Sequence, residues 1–199
     1  MLKFFVLIIL CLFCSACATT TVPVKSYSTS ISPDEDDRLG GTGIESTDIR
    51  TAARKMAESI LDVPEISQAD GIPRIALLPV ENNTRFVINQ DMFTKKIRID
   101  LNKNAQGKVR FLARDRIKAI EKERAEKRDG TFTASKTTDM LGVDFFLTGE
   151  LSALSKASGG SRSDYILMSF QLIDTETGDI IWEDLYEVKR VGITGVAYQ

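Results

Sequence analysis

The sequence predicts an α/β fold: a mixed, largely antiparallel sheet flanked by helices. Two observations carry this. Helical periodicity and short apolar strand-like runs alternate through the first two thirds of the chain. The last third reads as three consecutive strands separated by glycine-containing turns, the pattern of an antiparallel meander.

The chain opens on Met1, Leu2 and Lys3, then an almost wholly apolar stretch over 4–13, then Cys14-Ser15-Ala16-Cys17. One positive charge, an apolar run of about ten residues and a small-residue cleavage site make a secretory signal. The run falls short of the ~20 apolar residues that span a bilayer. Small residues ahead of a cysteine fit a lipoprotein signal cut before Cys17, whose thiol then carries the lipid. Cys14 follows bulky Phe13 and is a poor acceptor. Residues 1–16 are therefore read as signal peptide, 17–45 as a lipidated tether and 46–199 as the globular domain.

Composition narrows the chemistry. The 26 Lys and Arg nearly balance the 28 Asp and Glu, which argues against a nucleic-acid partner needing a basic face. Cys11 and Cys14 leave with the signal, so the domain holds by packing and not by a disulfide. There is no histidine. That removes the Ser-His-Asp and Cys-His triads, the usual zinc sites and the commonest general base. No metal, cofactor or small-molecule substrate is expected, and no enzymatic activity.

Residues 18–45 offer little to bury: a threonine run, Pro23, Pro33, the acidic run 34–37 and the glycine cluster 40–43. The glycines lack the Lys-Ser/Thr that completes a phosphate loop. Structure is expected from about residue 46, where Ser46 or Thr47 can cap a helix whose Ile49, Ala52, Ala53, Met56 and Ile60 share a face. Gly71-Ile72-Pro73 marks a loop, and 74–80 is a buried strand ending in the turn residues 81–84. A second helix runs over 90–104, with Phe93, Ile97 and Leu101 four apart. Residues 108–112 form a strand and 115–128 a charged helix with a thin seam of Ile117 and Ile120, its Lys, Arg and Glu pairing at spacings of three and four. A short helix follows at 137–141. Strands are expected over 143–154, 165–174 and 180–191, with a flexible loop at 155–164 and a tight turn at 175–178. Both sides of 165–174 are largely apolar, so that strand is expected to be central and covered on both faces.

The terminal run 170–182 reads Phe-Gln-Leu-Ile-Asp-Thr-Glu-Thr-Gly-Asp-Ile-Ile-Trp. It resembles the LpoB family of penicillin-binding protein activators, which ends in a strand, T-G-E/D, I-I-W, strand arrangement. The strand 75–84 running into Asn-Asn-x-Thr-like residues, and Gly107-Lys108-Val109-Arg110-Phe111 before a charged helix, match in the same order. The resemblance covers residues 46–191. The broader CsgG-like and TolB-N-like lipoproteins share this sandwich and a similar terminal hairpin. The resemblance implies an outer-membrane lipoprotein facing the periplasm that binds a small regulatory domain of a class A penicillin-binding protein and stimulates glycan polymerisation and cross-linking. The alternative is a CsgG-like envelope lipoprotein with a structural or assembly role.

Asn82, Asn83, Thr84 and Arg85 follow a buried strand, where contact residues often sit. They are the candidate partner-binding residues, beside their plain reading as turn formers. Trp182 is read as core packing rather than an interface anchor. Glu150, Glu183 and Asp184 sit on neighbouring strands and are read as solvated positions rather than an acid/base pair. For the anchor, the signal ending Ser15-Ala16-Cys17 leads to the expectation that Cys17→Ala abolishes lipidation and releases the protein from the outer membrane, the destination that Ala18 rather than Asp after the lipid site favours by resemblance to lipoprotein sorting rules. Metabolic palmitate labelling checks it, and label persisting in the variant contradicts it.

Overall fold

A computed structural model describes residues 28–36, 41–130 and 142–193. The signal, Cys17 and the expected helix at 137–141 lie outside them. The chain divides into two units, Met1–Ile31 and Ser32–Gln199. Of the first only 28–31 are described, and they are exposed. The second contains α1 (Ser46–Leu61), α2 (Pro64–Ser67), β1 (Arg74–Asn83), α3 (Asp91–Asn104), β2 (Arg110–Phe111), a 3-10 turn at Arg114–Arg116, α4 (Ile117–Arg128), β3 (Phe145–Ser158), β4 (Ser161–Asp174) and β5 (Ile180–Ile193). The sheet order is β2-β1-β3-β4-β5. β1 runs parallel to both β2 and β3, while β3–β4 and β4–β5 are antiparallel, the mixed sheet expected.

α1 starts at Ser46, but neither Ser46 nor Thr47 caps it. Glu45 is the N-cap and forms a reciprocal capping box with Asp48. Ala52, Ala53, Met56 and Ile60 of α1 and Phe93, Ile97 and Leu101 of α3 are wholly buried. They join one cluster with Ile75, Val80, Leu147, Leu151, Met168, Phe170 and Leu172 of the sheet. Trp182 packs into the same core, and its Nε1–H donates to Ser59 Oγ of α1 at 2.8 Å.

β1 runs three residues past its expected end at 80, to Asn83, taking in most of the expected turn. Its register against β3 shifts between Leu77 and Val80. Pro79 lies inside that shift and has no N–H for the ladder, so the strand bulges there and resumes. β2 is only two residues long. The left-handed Gln106 and Gly107 turn the chain sharply out of α3 just before it.

The expected loop at 155–164 is instead the tip of a long hairpin. Pairing continues out to Ser158↔Ser161. Gly159 and Gly160 supply the two positive φ angles of a two-residue turn whose twist matches the flanking strands. β4 lies inside the sheet between β3 and β5, but among the described residues it is not covered on both faces. Asp164, Ile166, Met168, Phe170 and Leu172 are buried, whereas Tyr165, Leu167, Ser169, Gln171 and Ile173 are only half-buried. α1 and α3 pack on the first face. On the second face Leu167 lies between Ser152 and Glu187, whereas Ile173 lies between Phe146 and Ile180, so this face mixes polar and apolar positions.

Phe170 crosses Gly149 of β3 and meets Phe93 of α3, ring centroids 6.3 Å apart. A Cβ on Gly149 would lie 2.5 Å from the Ser169 carbonyl oxygen and 2.6 Å from the Phe170 ring. Phe170→Ala is expected to cost about 3–5 kcal/mol by emptying this site, and Gly149→Ala about 1–3 kcal/mol by overfilling it. Denaturant melts check both. A loss below about 1 kcal/mol for Phe170→Ala contradicts the packing.

Candidate functional site

The four sequence-predicted residues are brought together but divide their labour. Asn82 Nδ2 donates to the Phe86 carbonyl at 2.9 Å, and Asn82 Oδ1 accepts from the Thr84 N–H at 3.0 Å and the Thr84 hydroxyl at 2.7 Å. Thr84 Oγ1 in turn accepts from the Phe86 N–H at 3.1 Å. These bonds build the turn and seat Phe86 in the core. Asn83 points the other way, and its Nδ2 donates to Glu150 Oε1 at 2.9 Å.

Arg85 reaches back to the base of the β3–β4 hairpin. Its Nη2 donates to Asp164 Oδ2 at 2.6 Å, and its guanidinium lies 4.2 Å over the Phe86 ring. Asp164 has no exposed side-chain surface. It also accepts from the hydroxyls of Thr42 and Ser155, and Arg162 Nε lies 3.3 Å away. Burial pushes the Asp164 carboxyl up, but the hydrogen bonds from Arg85, Ser155 and Thr42 outweigh it and pull it down to about 2.

A second cluster lies beside it. Arg190 of β5 donates to Asp48 through Nη1 at 2.7 Å and Nη2 at 3.0 Å, and to the Gly43 carbonyl at 3.1 Å. Its Nε lies 3.3 Å from Glu45. The Asp48 hydrogen bonds push the Arg190 guanidinium up, and burial pushes the Glu45 carboxyl up against the pull of Arg190. The two clusters fasten residues 42–48 to β4 and β5. A Cβ on Gly192 would lie 3.2 Å from Thr42 Cγ2, so the chain entering the domain lies close on β5. Further out, Asp34 pairs with Arg50 at 2.5 Å, Thr47 donates to Asp36 at 2.9 Å and Ser46 to the Pro33 carbonyl at 3.1 Å.

Asn83 opens onto the other side of the sheet. The strand registers line up Asn83, Ser152, Leu167 and Glu187 in one row and Glu81, Glu150, Ser169 and Leu185 in the next. Glu150 accepts from Ser152 and Asn83, which hold its carboxyl below the usual range. Tyr165 donates to Glu187 at 2.7 Å and Gln171 to Glu183 at 2.8 Å. Asp184 is on the opposite face, 3.3 Å from Lys55. Glu150, Glu183 and Asp184 therefore do not converge on an acid/base site. Sequence reasoning missed Asp164, Asp48 and Arg190. Asp164 and Arg190 carried a signal: both fall in phase with the buried alternation of their strands.

The sequence profile of the peptidoglycan-synthase activator LpoB family matches residues 48–188. The chain belongs to the LpoB family. The matched span runs from the first turn of α1 into β5 and so includes the whole helical layer. Among solved structures, the LpoB C-terminal domain from Salmonella enterica is similar at 19% identity, covering 71% of this chain and 98% of that chain with a TM-score of 0.41. That from Escherichia coli is similar at 18% identity, covering 71% and 98% with a TM-score of 0.40. The NMR structure of E. coli LpoB covers 90% of this chain and 89% of that chain at 17% identity and a TM-score of 0.40. No curated protein sequence matches the chain. No described helix is long and apolar enough to cross a membrane.

The lowered Asp164 carboxyl has a pH consequence. It stabilises the fold above the unfolded value near 4, and that contribution is lost as pH falls through about 2. It amounts to about 2 kcal/mol. Asp164→Asn is expected to lose that stability at pH 7 and to show a flatter acid dependence between about pH 4 and 2. Urea melts across that range check it, and unchanged stability at both ends contradicts it.

Proposed function

We propose that this chain is an outer-membrane lipoprotein, anchored through Cys17, that binds the regulatory domain of a class A penicillin-binding protein and stimulates its glycan polymerisation and cross-linking. The observation that carries the reading is family membership over residues 48–188. The open sheet face supports it physically: a rigid surface with polar side chains already oriented and no helix packed across it among the described residues.

The contact is centred on Asn83, Glu150, Gln171 and Tyr165. Asn82, Thr84 and Arg85 support it from behind by holding the turn and Asp164. Glu81, Glu150, Glu183 and Glu187 outnumber Lys156 and Lys189 on this face and give it an acidic character, so the partner surface is basic. Such complementarity steers encounter more than it adds affinity. Activation works by population shift, and the chain contributes binding energy rather than chemistry. Raising an active fraction from about one tenth to nine tenths takes a preference of roughly 100-fold for the active conformation, about 2.7 kcal/mol. A regulatory interface of about micromolar affinity, near −8 kcal/mol in all, accommodates that.

The test is glycan polymerisation by a class A synthase of the same organism, with and without the full chain in detergent. The chain is expected to raise the rate. Asn83→Ala with Glu150→Ala is expected to raise the concentration needed for half-maximal stimulation about tenfold, the effect of about 1.4 kcal/mol, at an unchanged melting temperature. Absence of stimulation by the unaltered chain contradicts the reading and favours the assembly-lipoprotein alternative.

A further inference from the structure

Charge is distributed very unevenly along this nearly neutral chain. Residues 91–130 hold 13 of its 26 Lys and Arg but only 7 of its 28 Asp and Glu, a balance of +6, leaving −8 for the remainder. These residues are α3, β2, the 3-10 turn and α4. α3 lies over the core beside α1, with Phe93 against Phe170 of β4, but its C-terminal end at Lys103 leads into β2, the edge strand, and the 3-10 turn and α4 follow directly. The basic residues from Lys103 to Arg116 are thus gathered around the β2 edge, and α4 continues from it. The chain enters the domain at the other end, where Thr42 and Gly43 meet Asp164 of β4 and Arg190 of β5. The positive pole therefore lies across the sheet from the point of entry.

Some of these cations are spent locally. Lys96 pairs with Asp100 at 2.5 Å, Lys127 with Glu123 at 3.1 Å, Lys122 with Glu126 at 3.9 Å and Arg116 with Asp115 at 3.2 Å. Lys95, Lys103, Lys108, Arg110, Lys118 and Arg128 are exposed and have no ion pair among the described residues. Lys96–Asp100 is half-buried, but the exposed pairs of Lys127, Lys122 and Arg116 hold their partners by at most about 1 kcal/mol, so these cations too remain available to a polyanion.

The surface has the composition of an electrostatic platform and of little else. The aromatic side chains of this stretch, Phe93 and Phe111, belong to or pack against the core. Specific protein interfaces are enriched in exposed aromatics and depleted in Lys and Glu. α4 has no buried residue, and its Ile117 and Ile120 are only half-buried, so it lacks the wide apolar face with which interfacial helices enter a bilayer. The exposed large apolar side chains of the stretch are Met92 and Ile99 of α3, apart from the cations around β2 and α4, and spread cations with so little apolar surface suit a polymer bearing many spaced carboxylates.

We propose that the basic β2 end of the domain, with Lys103, Lys108, Lys118 and Arg128 as its exposed centre, binds peptidoglycan through the free carboxylates of its stem peptides. This rests on the peptidoglycan setting of the proposed function. It assigns the domain two surfaces of opposite sign: an acidic open sheet face for the synthase and a basic end for the polymer.

The experiment is cosedimentation of the full chain, held in neutral detergent micelles, with purified sacculi. The chain is expected to pellet at about 50 mM salt and to lose at least about tenfold in apparent affinity at about 300 mM, where the screening length falls to several ångströms. Replacing Lys103, Lys108, Lys118 and Arg128 by Gln is expected to weaken binding at an unchanged melting temperature, and replacing the same four by Glu to abolish it. Amidating the carboxylates of the sacculi is expected to do the same to the unaltered chain. Failure to pellet, undiminished binding by the Gln variant, or binding that survives amidation overturns the proposal. Displacement of sacculi by micelles doped with an equal charge of phosphatidylglycerol assigns the surface to lipid and also overturns it. Glycan polymerisation with soluble substrate separates the two readings. Stimulation without sacculus binding defeats this inference alone, and sacculus binding without stimulation defeats the activator reading alone.

Discussion

The contact of Phe170 with Gly149 and Phe93 is the constraint on which the rest of this domain depends. A phenylalanine on the central antiparallel strand covers a glycine on the next strand and touches the helix that crosses between β1 and β2. One ring thereby ties the parallel half of the sheet to the antiparallel half and seats α3 on both. It also sets which face of the sheet is inside. Every second residue of β4 follows Phe170 into the core, and the intervening ones turn out by the alternation of the strand. The open face is thus a consequence of the core, not a separate design.

Charge organises what packing leaves exposed. Among the described residues the buried carboxylates, Asp48 and Asp164, each have arginine partners and further hydrogen-bond donors, so burial does not leave an unpaired charge. Both tie the segment that enters the domain to β4 and β5. The surplus acid of the chain lies largely on the open face and in the residues leading into the domain, and the surplus base lies at the β2 end. A domain built this way presents opposite potentials on different surfaces, which steers partners of different sign to different places.

Much of the fold was legible because its determinants are local. Phe93, Ile97 and Leu101 declared α3, and the turn residues 175–178 declared the last hairpin, where Asp174 Oδ1 accepts from the Glu176 and Thr177 N–H groups. The β3–β4 hairpin tip was not legible. Ser155 to Asp164 has the composition of a loop, and what orders it is contact with Arg85 and Thr42, 79 and 122 residues from Asp164. Pro79 hid its bulge in the same way, since the break appears only when β3 is laid alongside. For the site, the position of the 82–85 loop was readable, but the division between Asn83 facing out and Asn82, Thr84 and Arg85 facing in was not. That depends on bonds to Phe86, Glu150 and Asp164. The reading of 165–174 as covered on both faces failed because hydrophobicity alone does not say whether a second layer exists.

The central claim is that one face of the sheet is consumed by packing and the other is kept for the synthase. Site-specific photo-crosslinking tests it most directly, with the photoreactive residue placed either at Gln171 on the open face or at Lys55 on the helical side. With the full chain and a class A synthase from the same organism, the account predicts a crosslinked complex from Gln171 and none from Lys55. A complex formed from Lys55 and absent from Gln171 would contradict it.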